Sequence, residues 1–165
     1  MKYLLLLLSV VLSVVLLTSC DQNTDVLRQL QAKMDSLQQK MENTYKPGFG
    51  ELMSSIQEHH SKLWFAGVNQ NWALAAYEQS LINSAFEKID KYHSDNPNSK
   101  QLGMISVPID SIQSAIAQKN LPYFKRSFLF LTTTCNNCHL ITRHAFNVII
   151  VPTTNPTNNQ DFKAP

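Results

Sequence analysis

From Leu27 to Leu131 the apolar residues of this chain return every three or four positions, an interval that fits helices and little else. Glycine occurs only 4 times, too rarely for the turns and bulges of a sheet protein. The first run is a narrow seam of Leu27, Leu30, Met34, Leu37, Met41 and Thr44, in the a/d rhythm of a coiled coil, and Lys46-Pro47-Gly48 ends it. Phe49, Leu52, Met53, Ile56, Leu63 and Gly67 form the stripe of a second helix, and Asn69 or Asn71 is available to cap a third. Trp72, Ala75, Ala76, Leu81, Ile82, Ala85, Phe86 and Ile89 give that helix its buried face, and it ends near His93. Leu102 to Val107 is a mixed connector, Pro108 is suited to open the next helix, and Ile109, Ile112 and Ile116 face its core. Asn120-Leu121-Pro122 then caps a last helix through Tyr123, Phe124, Phe128 and Leu131, after which Asn147 to Pro152 reads as extended. The expectation is an all-α chain: a bundle of about four helices, an N-terminal coiled-coil-like helix and an extended C-terminal tail anchored by Phe162.

The last helix carries Cys135-Asn136-Asn137-Cys138-His139. Two cysteines three apart with a histidine directly after them form the attachment pattern of covalent haem c. Each thiol adds across one vinyl group, and His139 is then held beneath the ring as the proximal axial ligand of the iron. A thioredoxin-like pair would need a βαβ surround, and a structural zinc site would need two more ligands at fixed spacing.

The other end of the chain supplies an address. Met1-Lys2-Tyr3 is a short positive start, and Leu4 to Leu17 is uncharged, long enough for a secretory core and short of the ~20 residues that span a bilayer. It closes on Leu17-Thr18-Ser19-Cys20, which resembles a bacterial lipobox, so residues 1–19 are read as a removed leader and Cys20 as the lipid-bearing first residue. Residues 20–46 are then a lipid-anchored helical tether and 47–165 the haem-binding domain, in the periplasm or on an outward-facing membrane surface. With Cys20 lipidated, Cys135 and Cys138 are the remaining cysteines, and haem attachment uses both. The formal charge of +2, reduced by one with Lys2, gives no footprint for nucleic acid. The 27–44 seam either pairs with a second copy, as a homodimer near the membrane, or lies along the domain.

His60 is the second candidate ligand. At about 100° per residue it lies roughly 25° from the centre of its apolar stripe, whereas His59 lies roughly 75° away, at the margin. An inward imidazole on a helix other than that of His139 is a natural sixth ligand; His59 is expected to be exposed or hydrogen-bonded at the haem edge. Met53 and Met104 are weaker distal candidates, better read as core filler. His144, five residues beyond His139 on what reads as one helix, falls on the same side of the ring. His93 is read as solvent-exposed, and Trp64, Trp72 and Phe86 as core, with some of these rings available as pocket wall.

Four blocks in order resemble a family of small exported bacterial monohaem proteins: His60-Ser61-Lys62-Leu63-Trp64-Phe65-Ala66-Gly67, Asn71-Trp72-Ala73-Leu74-Ala75-Ala76-Tyr77-Glu78, Cys135 to His139, and Asn159-Gln160-Asp161-Phe162. The resemblance implies haem held by Cys135, Cys138 and His139, and the histidine of its first block matches His60. Cys20 and the coiled segment lie outside the shared blocks. Two functions then compete: a single-electron carrier with His139/His60 ligation, or a cytochrome c′-like protein with an open distal side that binds nitric oxide or carbon monoxide. A peroxidase would need a distal base with an arginine, and neither Arg126 nor Arg143 is placed for it by any motif, so no residue is assigned a catalytic role.

Overall fold

The structure, a computed structural model, describes residues 24–41 and 44–164. The leader residues and Cys20 lie outside the described residues. The chain divides at Lys46/Pro47 into two compact units, and it is all-helical, with no strand among the described residues. None of the described helices is long and apolar enough to cross a membrane.

The first unit contains helix α1, residues 24–41. Its seam is fully presented: Leu27, Leu30, Met34, Leu37 and Met41 are each more than half exposed. Its flanks carry short-range polar pairs, Arg28 with Asp25 at 3.7 Å and Gln31 donating to Asp35 at 3.0 Å.

The second unit is built from α2 (Phe49–Val68), α3 (Trp72–His93), a 3-10 segment (Ser99–Ile105), α4 (Ser106–Ala117) and α5 (Leu121–Ile141). Antiparallel α2 and α3 pack as one hairpin and α4 and α5 as another. Leu63, Ile82, Ile89, Ile112, Phe124, Phe128 and Leu131 fill the space between them. The expected caps are present: Asn71 Oδ1 accepts from Leu74 N and Asn120 Oδ1 from Tyr123 N, which starts α3 and α5 at those asparagines.

Three helices end alike. Gln70, Lys119 and Arg143 each take positive φ (56°, 50° and 64°), and each is bracketed by the paired reverse bonds of a Schellman motif. These run from Gln70 N to Gly67 O and Asn71 N to Ala66 O after α2, from Lys119 N to Ile116 O and Asn120 N to Ala115 O after α4, and from Arg143 N to Leu140 O and His144 N to His139 O after α5. The motif saturates the last carbonyls of each helix and reverses the chain within two residues, which keeps the hairpin turns short.

Several expectations need correction. Pro108 does not open α4; the 3-10 segment runs straight into the helix at Ser106, so Pro108 occupies the first turn, where its missing N–H forfeits no helical bond. Ala76 is exposed, and the buried stripe of α3 instead includes Glu78 and Gln79. His93 is half-buried: Nε2 donates to Pro47 O at 2.8 Å and its ring meets Phe49 edge-on at 5.9 Å, which ties the start of α2 to the end of α3. Beyond α5 the tail is extended as expected. Phe162 is buried against Phe65, and Asn71 Nδ2 donates to Lys163 O at 2.9 Å, fixing the tail at the α2–α3 turn.

Candidate functional site

Cys135, Cys138, His139 and Thr142 stand at i, i+3, i+4 and i+7 on α5 and therefore share one face. All four line a cavity of about 270 Å³. Phe49, Met53, Ile56 and His60 of α2, spaced 4, 3 and 4, supply another wall. Eleven rises along α2 make this wall about 16 Å long. Phe86, Leu102, Ile105 and Ile149 complete an apolar lining, with Asn147 and His144 contributed by the tail. The cavity thus brings His60, Cys135, Cys138 and His139 together from two helices.

Each of the two imidazoles, His139 and His60, has one nitrogen anchored. His139 Nδ1 donates to the backbone carbonyl of Asn147 at 2.5 Å, so its Nε2 carries the lone pair. His60, 3% exposed, has Nε2 at 2.9 Å from Thr132 Oγ1, and that hydroxyl is 2.9 Å from Phe128 O. A threonine hydroxyl has one proton, and Phe128 O can only accept. Both contacts are hydrogen bonds only if His60 Nε2 donates to Thr132 and Thr132 donates to Phe128. His60 is therefore the Nδ1-lone-pair tautomer, and burial pushes its pKa down to about 4, which keeps the ring neutral. Phe128 packs on the ring at 4.3 Å. A histidine whose second nitrogen donates to a fixed acceptor is the arrangement that orients metal-bound imidazoles.

The thiols are unsuited to exchange chemistry. Cys135 and Cys138 lie in the C-terminal third of α5, away from the helix N-terminus that lowers a thiol pKa. Burial pushes the Cys135 thiol up to about 12, with Cys138 adding to the shift, and burial raises Cys138 as well. Such thiols stay protonated at neutral pH and are poor nucleophiles. Among the described residues no group of three or more His, Cys, Asp or Glu side chains is arranged to hold a bare metal ion. Two thiols and one oriented imidazole share a helix face beside a largely apolar cavity, and these are the donor types that covalent haem attachment uses.

The other candidates are placed as follows. Met53 lines the cavity, whereas Met104 is packed against the core and does not. Phe86 doubles as cavity wall; Trp64 and Trp72 do not, and instead pack around Phe124 and Phe128, with Trp64 4.9 Å from Phe128 and Trp72 6.0 Å from Phe124. His144 does not share a helix with His139, because α5 stops at Ile141; the Schellman turn at Arg143 brings it back to the cavity, with Nδ1 donating to Thr142 O at 2.8 Å. His59 is off the cavity wall, half-buried and 2.7 Å from the carboxylate of Glu78, itself 2% exposed.

Sequence reasoning missed Glu78, Thr132 and Asn136. Glu78 had a signal, since it falls between Ala75 and Ile82 on the buried stripe of α3. Thr132 and Asn136 act through partners 72 and 13 residues away, which no local pattern marks. No known protein family, no curated protein and no solved structure matches this chain.

Proposed function

We propose that this chain is a membrane-anchored monohaem c-type cytochrome that moves single electrons. The observation that carries the reading is the α5 face: both thiols and an imidazole with its Nδ1 anchored line one apolar cavity. Haem c, when bound, supplies reversible one-electron chemistry at iron. Cys135 and Cys138 would tether it as thioethers, His139 would offer Nε2 to the iron, and Phe49, Ile56, Phe86, Leu102 and Ile105 would give its faces apolar contact. His60, with Nε2 committed to Thr132, would have Nδ1 left as the nitrogen with which to hold the iron, and histidine in place of methionine would favour a lower potential. Cys20 carries the lipid, which holds the protein to an outward-facing membrane surface, and the exposed α1 seam suits a second copy of the chain.

One observation favours the gas-binding alternative. With His60 Nε2 committed to Thr132, its free nitrogen is Nδ1, which is flanked by its own Cβ; crowded ligation there would leave a bound haem able to take nitric oxide or carbon monoxide. The reduced spectrum decides between them. A six-coordinate low-spin spectrum that becomes high-spin in His60→Ala supports the carrier. A high-spin wild-type spectrum unchanged by His60→Ala supports the gas binder.

A further inference from the structure

The CNNCH segment contains an asparagine that does more than separate two cysteines. Asn136 Nδ2 donates to Ile149 O at 2.8 Å, and Asn136 Oδ1 accepts from Ile149 N at 2.8 Å. With both bonds made, the orientation of the amide is unambiguous. The side chain acts as a one-residue strand partner for the extended tail. Two residues back along the same tail, the carbonyl of Asn147 receives the Nδ1 proton of His139. The segment from Asn147 to Ile149 is thus a short strap pinned to α5 at both ends, by residues three apart on the helix.

Apolar contact holds the strap at Ile149, on the cavity wall, and just beyond it at Val151, against the core. Phe146, Val148 and Ile150 are 84%, 65% and 64% exposed, so apolar burial contributes little to its position on that side. Asn147 N makes one local bond to His144 O. The bidentate amide is the side-chain hydrogen-bond restraint that ties this segment, and with it the Asn147 carbonyl, to α5 next to His139.

We infer that Asn136 is a positioning residue for the proximal ligand: by clamping Ile149 it fixes the Asn147 carbonyl against His139 Nδ1, and so sets the basicity of His139 and the reduction potential of the iron. This rests on the cytochrome reading above. A firm Nδ1–H···O=C bond makes the imidazole a stronger donor and favours the ferric state; releasing the strap weakens it and moves the potential upward. Asn137, the exposed neighbour with no such bond, is the built-in control.

The test compares the haem-loaded wild type with Asn136→Ala, Asn137→Ala and Ile149→Pro. The proline variant removes the N–H from which Asn136 accepts without changing Cys135 to His139; because Ile149 also lines the cavity, Ile149→Val, which keeps that N–H, is its control and should keep the wild-type potential. Midpoint potential and exchange of the Ile149 amide are the readouts, the latter followed in Asn136→Ala with or without haem. Asn136→Ala and Ile149→Pro are expected to have more positive potentials than wild type, Asn137→Ala the wild-type value. Ile149 amide exchange in Asn136→Ala is expected to be roughly five- to tenfold faster, the factor for one ordinary hydrogen bond. Wild-type potentials in Asn136→Ala and Ile149→Pro, with covalent haem retained, overturn the inference and leave the cytochrome standing. An equal shift in Asn137→Ala also overturns it. Wild-type protein without covalent haem overturns the cytochrome reading itself, and this inference with it.

Discussion

Thr132→Val isolates the bond that fixes His60. The substitution exchanges a hydroxyl for a methyl group of similar size at a site 4% exposed, so it leaves no appreciable cavity. Its cost comes from two lost bonds of unequal weight. The bond from Thr132 Oγ1 to Phe128 O is cheap to lose, because that carbonyl keeps its helical partner. The bond from His60 is not, because a ring N–H buried to 3% exposure is left with no acceptor, at roughly 1–3 kcal/mol. The expected net loss is about 2 kcal/mol, which lowers the urea midpoint by about 1 M at the slopes usual for a domain of this size. Urea unfolding of wild type, Thr132→Val, His60→Phe and the double variant measures it. In the His60→Phe background no N–H remains to be orphaned, so Thr132→Val should then cost under about 0.5 kcal/mol. A penalty of equal size in both backgrounds would refute the assigned tautomer, since Thr132 would then be stabilising the fold without reference to His60.

Two further outcomes follow from the same core. His60 is held neutral with its pKa pushed down to about 4 from 6.5, so the haem-free chain should keep its full stability above pH 6.5 and lose about 3 kcal/mol as the pH falls to 4, where the unfolded chain binds a proton that the folded chain refuses; equilibrium unfolding across that window checks it, and His60→Phe should remove the His60 share of the loss. Gly67→Ala should destabilise by about 1–2 kcal/mol in thermal or urea unfolding although alanine favours helices, because its Cβ would overlap the ring of Phe124, which is packed against Trp64, Trp72 and Phe128 with no exposed surface to move into; a gain in stability would contradict that packing.

The helical bundle was legible because its information is periodic and local. Asn71 and Asn120 announce α3 and α5 by standing just ahead of an apolar run, and the inward angle of His60 follows from its place in a stripe of one helix. Phe162 could be read as an anchor because it is the one large apolar residue in a polar tail. What escaped was pairwise and remote. His93 looked like a frayed helix end, and its acceptor is a carbonyl 46 residues earlier. His144 was placed on the helix of His139 because nothing in the residue types there demands a turn; arginine at φ 64° ends α5 where glycine would have advertised it. The polar bonds at the candidate site, from His60 to the Thr132 hydroxyl and between Asn136 and the Ile149 backbone, join residues 72 and 13 positions apart, and such pairs leave no spacing to read.

Whether Cys135 and Cys138 hold haem covalently is read from the reduced alkaline pyridine spectrum of the denatured protein made alongside the haem-maturation machinery. Haem should stay with the polypeptide through denaturation at about one equivalent per chain, with the absorption of a macrocycle saturated at both vinyl positions, and should be lost in a Cys135→Ala, Cys138→Ala double variant. A colourless wild-type polypeptide, or haem that separates from it on denaturation, would show that these cysteines are not haem attachment sites.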